Sequence, residues 1–229
     1  GTAWMSWGNG TCFLAKLTPD LKGIDGEIKV LKMKNYIEGP WLHKRNGIYY
    51  LTYASMGKGG ECIEYATATS LDGEWTCRGP LTGPARDSFT IHPGIAEFNN
   101  NWYLFYHNGT LAIDGYSGGG GRRSVCVEKL NYNDDGTMQF VNLTSQGIAP
   151  ATPQHNSFGG MPMAQLKYTA DPSPIVINDT IFLYTSHDED DAEGYGFKMF
   201  DWILYTTTDM VNFTEHGKVA SLDAFKWKK

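Results

Sequence analysis

Apolar and polar positions along this chain alternate in short runs, and the runs come in pairs. Leu42-His43-Lys44 leads through Asn46-Gly47 into Ile48-Tyr49-Tyr50-Leu51-Thr52-Tyr53. Ile95-Ala96-Glu97-Phe98 leads through Asn99-Asn100 into Trp102-Tyr103-Leu104-Phe105-Tyr106, and Ile175-Val176-Ile177 leads through Asn178-Asp179 into Ile181-Phe182-Leu183-Tyr184. Two strand-like runs joined by a tight Asn/Asp/Gly turn predict a β-hairpin. The three hairpins are opened by Glu38-Gly39-Pro40-Trp41, His92-Pro93-Gly94 and Asp171-Pro172-Ser173-Pro174.

A second pair of runs follows each hairpin. Ile63-Glu64-Tyr65-Ala66 runs on to Trp75-Thr76, Ile203-Leu204-Tyr205-Thr206 to Phe213-Thr214, and Val125-Cys126-Val127-Glu128 to the turn Asp134-Asp135-Gly136. A four-stranded unit recurring at roughly 50-residue spacing predicts the antiparallel blades of a β-propeller, each burying its faces against its neighbours. Trp4-Met5-Ser6-Trp7 and Cys12-Phe13-Leu14-Ala15-Lys16-Leu17 read as part of a fourth blade whose first strand is missing. The stretch 145–163, rich in Gly and Pro, reads as a connector. The expected fold is therefore all-β, one propeller domain over residues 1–229, incomplete in this chain at roughly three and a half blades. Blades occupy 1–144 and 164–229 on either side of the connector.

Composition narrows the partner. A formal net charge of −6, with no basic cluster longer than Gly121-Arg122-Arg123, argues against nucleic acid. No apolar run reaches membrane-spanning length, and Gly1-Thr2-Ala3-Trp4 carries no export signal, so the chain is expected to be soluble with no membrane partner. Cys12, Cys62, Cys77 and Cys126 lack metal or disulfide spacing and read as buried thiols. The N-x-T triplets read as turn composition. An aromatic content of 14% suits strands and also stacking against sugar rings.

The innermost strands of a propeller line its central channel, so Glu38, His92 and Asp171 are expected to converge there. Two carboxylates facing each other across a gap are what glycoside hydrolysis needs, one donating a proton to the leaving oxygen and one ionised. Acidic residues before Pro also begin strands and close turns, Asp more often than Glu, which makes Glu38 the more telling of the pair. Trp41 beside Glu38 is expected to raise its pKa and mark it as the acid. Arg123 is placed to hold sugar hydroxyls or tune a carboxylate. His107, ending an aromatic strand, reads by itself as a hydrogen-bonded core residue, and the run Asp188-Glu189-Asp190-Asp191 as a solvated acidic loop.

These stretches resemble glycoside hydrolase family 43, the five-bladed propeller β-xylosidases and α-L-arabinofuranosidases. The resemblance is carried by Tyr168-Thr169-Ala170-Asp171-Pro172-Ser173, Tyr184-Thr185-Ser186-His187-Asp188-Glu189, Glu38-Gly39-Pro40-Trp41 with Lys44-Arg45-Asn46-Gly47, His92-Pro93-Gly94-Ile95, Phe105-Tyr106-His107-Asn108-Gly109 and Arg123-Ser124-Val125. It implies an inverting hydrolase acting on xylo- or arabino-oligosaccharides, with Asp171 as base and Glu38 as acid. It further implies that His107 holds a hydrated calcium ion and that His92, Arg123, Trp41 and His187 line the substrate pocket. Two departures stand out. The two carboxylate motifs occur in the reverse of the family's order, as in a circular permutation, and the family's third carboxylate has no match, which points to a companion chain or segment completing the ring or to a truncated chain. A non-catalytic sugar-binding propeller and an endo-acting arabinanase are the rival readings.

Overall fold

A computed structural model describes residues 2–148, 163, 166–193 and 196–226. The first sheet holds β1 (Trp4–Trp7), β2 (Cys12–Lys16) and β3 (Lys29–Leu31). The second is a four-stranded meander of β4 (Tyr36–Arg45), β5 (Ile48–Gly57), β6 (Gly60–Ala68) and β7 (Thr76–Pro80). The third pairs β8 (Gly94–Phe98) with β9 (Asn101–Asn108) and, past the small hairpin of β10 (Ala112–Ile113) and β11 (Tyr116–Ser117), β9 with β12 (Ser124–Leu130). The fourth is a meander of β13 (Tyr168–Ile177), β14 (Thr180–Asp188), β15 (Met199–Thr207) and β16 (Thr214–Ser221).

The hairpin turns follow from their residues. Asn46-Gly47, Asn99-Asn100 and Asn178-Asp179 all have positive φ at both positions, the geometry a two-residue turn needs to match strand twist. The strand alternation then builds three cores between four sheets. Along β9, Leu104 and Tyr106 pack toward the second sheet with Tyr50, Ile63 and Ile95, while Tyr103 and Phe105 pack toward the fourth with Ile181, Leu183 and Ile203. Leu51 and Tyr53 of β5 face Cys12, in the core shared with the first sheet. These are stacked blades, each needing its neighbour to cover an apolar face.

The blades depart from the expected regularity in one place. The third sheet has three strands, because past the turn at Asp134–Gly136 the chain makes a single bridge, Tyr132 to Met138, and then leaves its own sheet. Val141 instead pairs with the segment just past β7, its N–H donating to Leu81 O and its backbone bridging Thr82. Most of the expected connector, at 149–162, lies outside the described residues. Three cysteines are buried as expected, but Cys77 is exposed on β7. No helix among the described residues is long and apolar enough to cross a membrane.

Candidate active site

The strands β4 and β13 carry the same irregularity at the same place. In each, three steps along the strand oppose two on its partner: Glu38 and Trp41 face Ala54 and Thr52, and Ala170 and Ser173 face Ser186 and Tyr184. Such bulges re-aim a side chain out of the sheet's alternation. The left-handed backbone falls at Gly39, φ 59°, in one strand and at Asp171 itself, φ 51°, in the other. Asp tolerates that region better than most residues, yet it remains a conformation that surroundings must enforce.

The bulges bring Glu38 and Asp171 to either side of His92. Its Nε2 lies 3.1 Å from Glu38 Oε1 and its Nδ1 lies 2.7 Å from Asp171 Oδ1. The second contact is off the line of the N–H, so Asp171 Oδ1 receives ion-pair contact but no aligned hydrogen bond. Its partner Oδ2 accepts from Ser186 Oγ at 2.6 Å, while Glu38 Oε2 accepts from Asn9 Nδ2 at 2.7 Å. The Asp171 side chain keeps 34% of its surface exposed, although Oδ1 itself is turned inward and buried.

A guanidinium and a second imidazole flank the base candidate. Arg123, 2% exposed, places Nη1 3.6 Å from Asp171 Oδ1. Its other donors go to Asp188, with Nε to Oδ2 and Nη2 to Oδ1 both at 2.9 Å, and its backbone N donates to Oδ2 at 2.8 Å. Such bidentate guanidinium–carboxylate pairing fixes a plane as well as a charge. Arg123 therefore lies beneath the site, directed at two carboxylates. Asp188 is fully buried, which corrects the reading of 188–191 as a solvated loop; only Asp190 and Asp191 are exposed. His107 is fully buried as well. Its Nδ1 accepts the Asp171 backbone N–H at 3.3 Å and its Nε2 meets Thr90 Oγ1 at 3.0 Å.

Ionisation follows from these contacts. Burial works to raise the Asp171 pKa, but the His92 contact and the Arg123 guanidinium outweigh it and hold the carboxyl well below the usual carboxylate range. Burial likewise works to lower His92, yet its two carboxylate neighbours raise it to about 9. Burial, with the nearby Arg123 charge, pushes His107 well down and keeps it neutral. For Glu38 the expectation fails: the hydrogen bond from His92 lowers its pKa against the opposing effect of burial. Trp41 does not counter this, because its indole N–H turns away to Ile95 O at 3.0 Å and ties β4 to the third sheet.

The structure thus joins Glu38, His92, His107, Arg123 and Asp171 in one contact network. Trp41 borders it. His187 stands opposite Thr169 in the β13–β14 register, its Nδ1 3.0 Å from Asp201 Oδ1, and its ion pairs go to Glu189 and Asp201 rather than to the other five. Sequence reasoning missed Asn9, Ser186, Asp188, Thr90 and the buried Glu61, whose Oε2 accepts the N–H of Ile91 at 3.3 Å. Burial pushes Glu61 up.

Residues 1–138 match the model of the glycosyl hydrolases family 43. The chain belongs to this family. It is 32% identical over 155 residues to an arabinoxylan arabinofuranohydrolase of Bacillus subtilis (strain 168), covering 62% of this chain and 30% of that protein. A family 43 β-xylosidase/α-arabinofuranosidase from a compost microbial metagenome, solved with xylotriose in a calcium-free form, superposes with a TM-score of 0.50 at 29% identity, over 59% of this chain and 43% of the other. The arabinoxylan arabinofuranohydrolase structure from Bacillus subtilis, in complex with cellotetraose, matches 96% of this chain and 59% of its own at a TM-score of 0.51 and 18% identity, a likeness of fold. The chain spans less than half the length of the curated relatives it matches, 30% and 46% for the first two.

Proposed function

We propose that this chain forms the catalytic site of an inverting glycosidase that removes xylose or arabinofuranose units from xylan or arabinoxylan oligosaccharides. Asp171 is the general base and Glu38 the general acid. The observation that carries this reading is the pairing of two carboxylates on equivalent bulges across one imidazole, one of them ionised by its neighbours with an oxygen left unpartnered. A water held on the exposed side of the Asp171 carboxylate gives the carboxylate its proton as the water oxygen attacks the anomeric carbon. Glu38 protonates the departing oxygen on the opposite face, and the sugar leaves with inverted configuration. In the substrate-free site His92 favours ionised Glu38; a bound sugar that strips water from the gap favours the neutral, donating carboxyl.

Supporting roles follow. Arg123 and His107 hold Asp171 from below, and we assign Trp41 and His187 to the edge of the substrate pocket. Calcium fits poorly as a direct ligand of His107. Both ring nitrogens are engaged, and calcium takes roughly six to eight oxygen donors. The described residues with metal-like spacing are instead His187, Glu189 and Asp201, of which Asp201 also meets Lys218 at 3.6 Å. No step above depends on an ion.

The fourth sheet leaves Ile175, Ile177, Tyr184, Phe200 and Val219 exposed. Uncovered blade faces of this kind, with the reversed motif order, support a permuted propeller whose ring is completed by a companion chain or segment.

The test is incubation of the chain with an aryl β-xyloside and an aryl α-L-arabinofuranoside. Release of sugar from either supports the hydrolase. Sugar binding by calorimetry without release supports the non-catalytic propeller, and release from polymeric arabinan alone supports the endo-acting arabinanase.

A further inference from the structure

We propose that His92 is a positioning residue for both carboxylates, its ring serving as the spacer that sets the gap between Glu38 and Asp171. The inference rests on the acid and base reading given above and adds to it a role for the group between them.

Both ring nitrogens are committed to the protein, one to each carboxylate, at 3.1 and 2.7 Å. With about 2 Å between the nitrogens, the facing oxygens lie at most roughly 8 Å apart, compatible with the ~6.5–9.5 Å that an inverting pair needs for its water. Each contact engages one oxygen of its carboxylate and leaves the second oxygen of the group clear of the ring. The ring therefore separates the two groups without exhausting them.

The ring is itself fixed from several sides. The residue before it, Ile91, is held through its N–H by the buried Glu61. Two residues after it, Gly94 lies so close to β13 that a methyl group there would come 2.4 Å from Pro172 O, so the backbone of β8 is pressed against the Asp171 bulge. One edge of the ring fills the space that a side chain at Gly39 would take, since a Cβ there would fall 2.9 Å from His92 Cδ2. The ring also packs against His107, centroid to centroid 5.2 Å. Only 19% of the side chain is exposed. A group so enclosed presents little surface to a sugar, whereas its displacement would move both carboxylates.

A sugar-binding histidine and a spacer differ in kinetics. Loss of a sugar contact raises KM, while loss of a spacer lowers kcat with KM retained. In His92→Ala we expect kcat to fall about 100-fold, the effect of misplacing reacting groups by about an ångström, with KM within about threefold. Free imidazole fits the vacated space and should restore at least part of the lost rate, and His92→Gln, whose amide can still bridge, should lose less. Raised KM at unchanged kcat, or no response to imidazole in a variant whose thermal melt is cooperative, would overturn the spacer.

A second readout stands apart from hydrolysis. Imidazole at millimolar concentration should raise the melting midpoint of His92→Ala and leave that of the unmodified chain unchanged, as expected of a ligand that binds only the vacated folded site. Should the unmodified chain hydrolyse neither glycoside while this shift is present, the hydrolase reading fails and the spacer stands. Absence of the shift overturns the spacer whatever the activity.

Discussion

The strands β4 and β13 share a bulge, a following proline and a carboxylate, yet their two carboxylates sit in different fields. Glu38 meets one imidazole and one amide, Asn9, and its pKa is lowered chiefly by the His92 hydrogen bond. Asp171 meets the Arg123 guanidinium, two histidines and a serine hydroxyl. The bulge is supplied by each strand's own sequence, but the charge on Asp171 comes from the third sheet and the segments flanking it; only Ser186 belongs to its own blade. Local sequence therefore presents a carboxylate, and the neighbouring blade sets how strongly its ionised form is held.

The sharpest way to break the comparison is at the base. Asp171→Asn should cost about 10³–10⁴-fold in kcat on any aryl glycoside, the upper range of general base catalysis. Glu38→Gln should depend on the leaving group: about 10²-fold or more on an oligosaccharide, and under about tenfold on a nitrophenyl glycoside that needs little protonation. Equal losses by Glu38→Gln on both substrates would remove it from the acid role.

A gentler perturbation acts on the bulge alone. Gly39→Ala places a Cβ at φ 59° and against the His92 ring, and should destabilise the chain by about 1–3 kcal/mol while lowering kcat. Thermal melts and steady-state rates on the same sample check it; an unchanged melt would mean that the ring is free to move aside.

The smallest effect is in the pH dependence of stability. Asp171 has a depressed folded pKa, so its contribution is present above the unfolded value near 3.9 and is lost as pH falls below it. His92 has a raised one, so its contribution is complete below about 6.5 and is lost as pH rises through about 9. Melting midpoints should therefore decline between pH 6.5 and 9.5, and the decline should shrink in His92→Ala. An identical decline in both proteins would detach His92 from the carboxylates.

Much of this was legible in the chain. Alternating runs with Asn-Gly, Asn-Asn and Asn-Asp turns specify hairpins because those turns demand positive φ at both positions. Residues opening equivalent hairpins fall on the strands lining the site, which is why Glu38, His92 and Asp171 could be named together. Pairings between distant segments were not legible. Asp188 stands in a run of four acidic residues, and only its pairing with Arg123, 65 positions away in sequence, separates it from exposed Asp190 and Asp191. Trp41 adjoins Glu38 in sequence and suggested a raised pKa, but the group that sets that pKa is His92, 54 positions along. The third sheet lacks a fourth strand because Val141 finds its partner in the segment just past β7, a choice no local pattern records.

The central claim is that Asp171 delivers water to the face opposite Glu38's leaving group. Proton NMR of the sugar released in the first turnovers from an aryl β-xyloside and an aryl α-L-arabinofuranoside tests it directly. The account predicts the inverted anomer as the initial product, mutarotating only later. Initial release of the retained anomer would contradict it, since that outcome requires a covalent intermediate on one of these carboxylates.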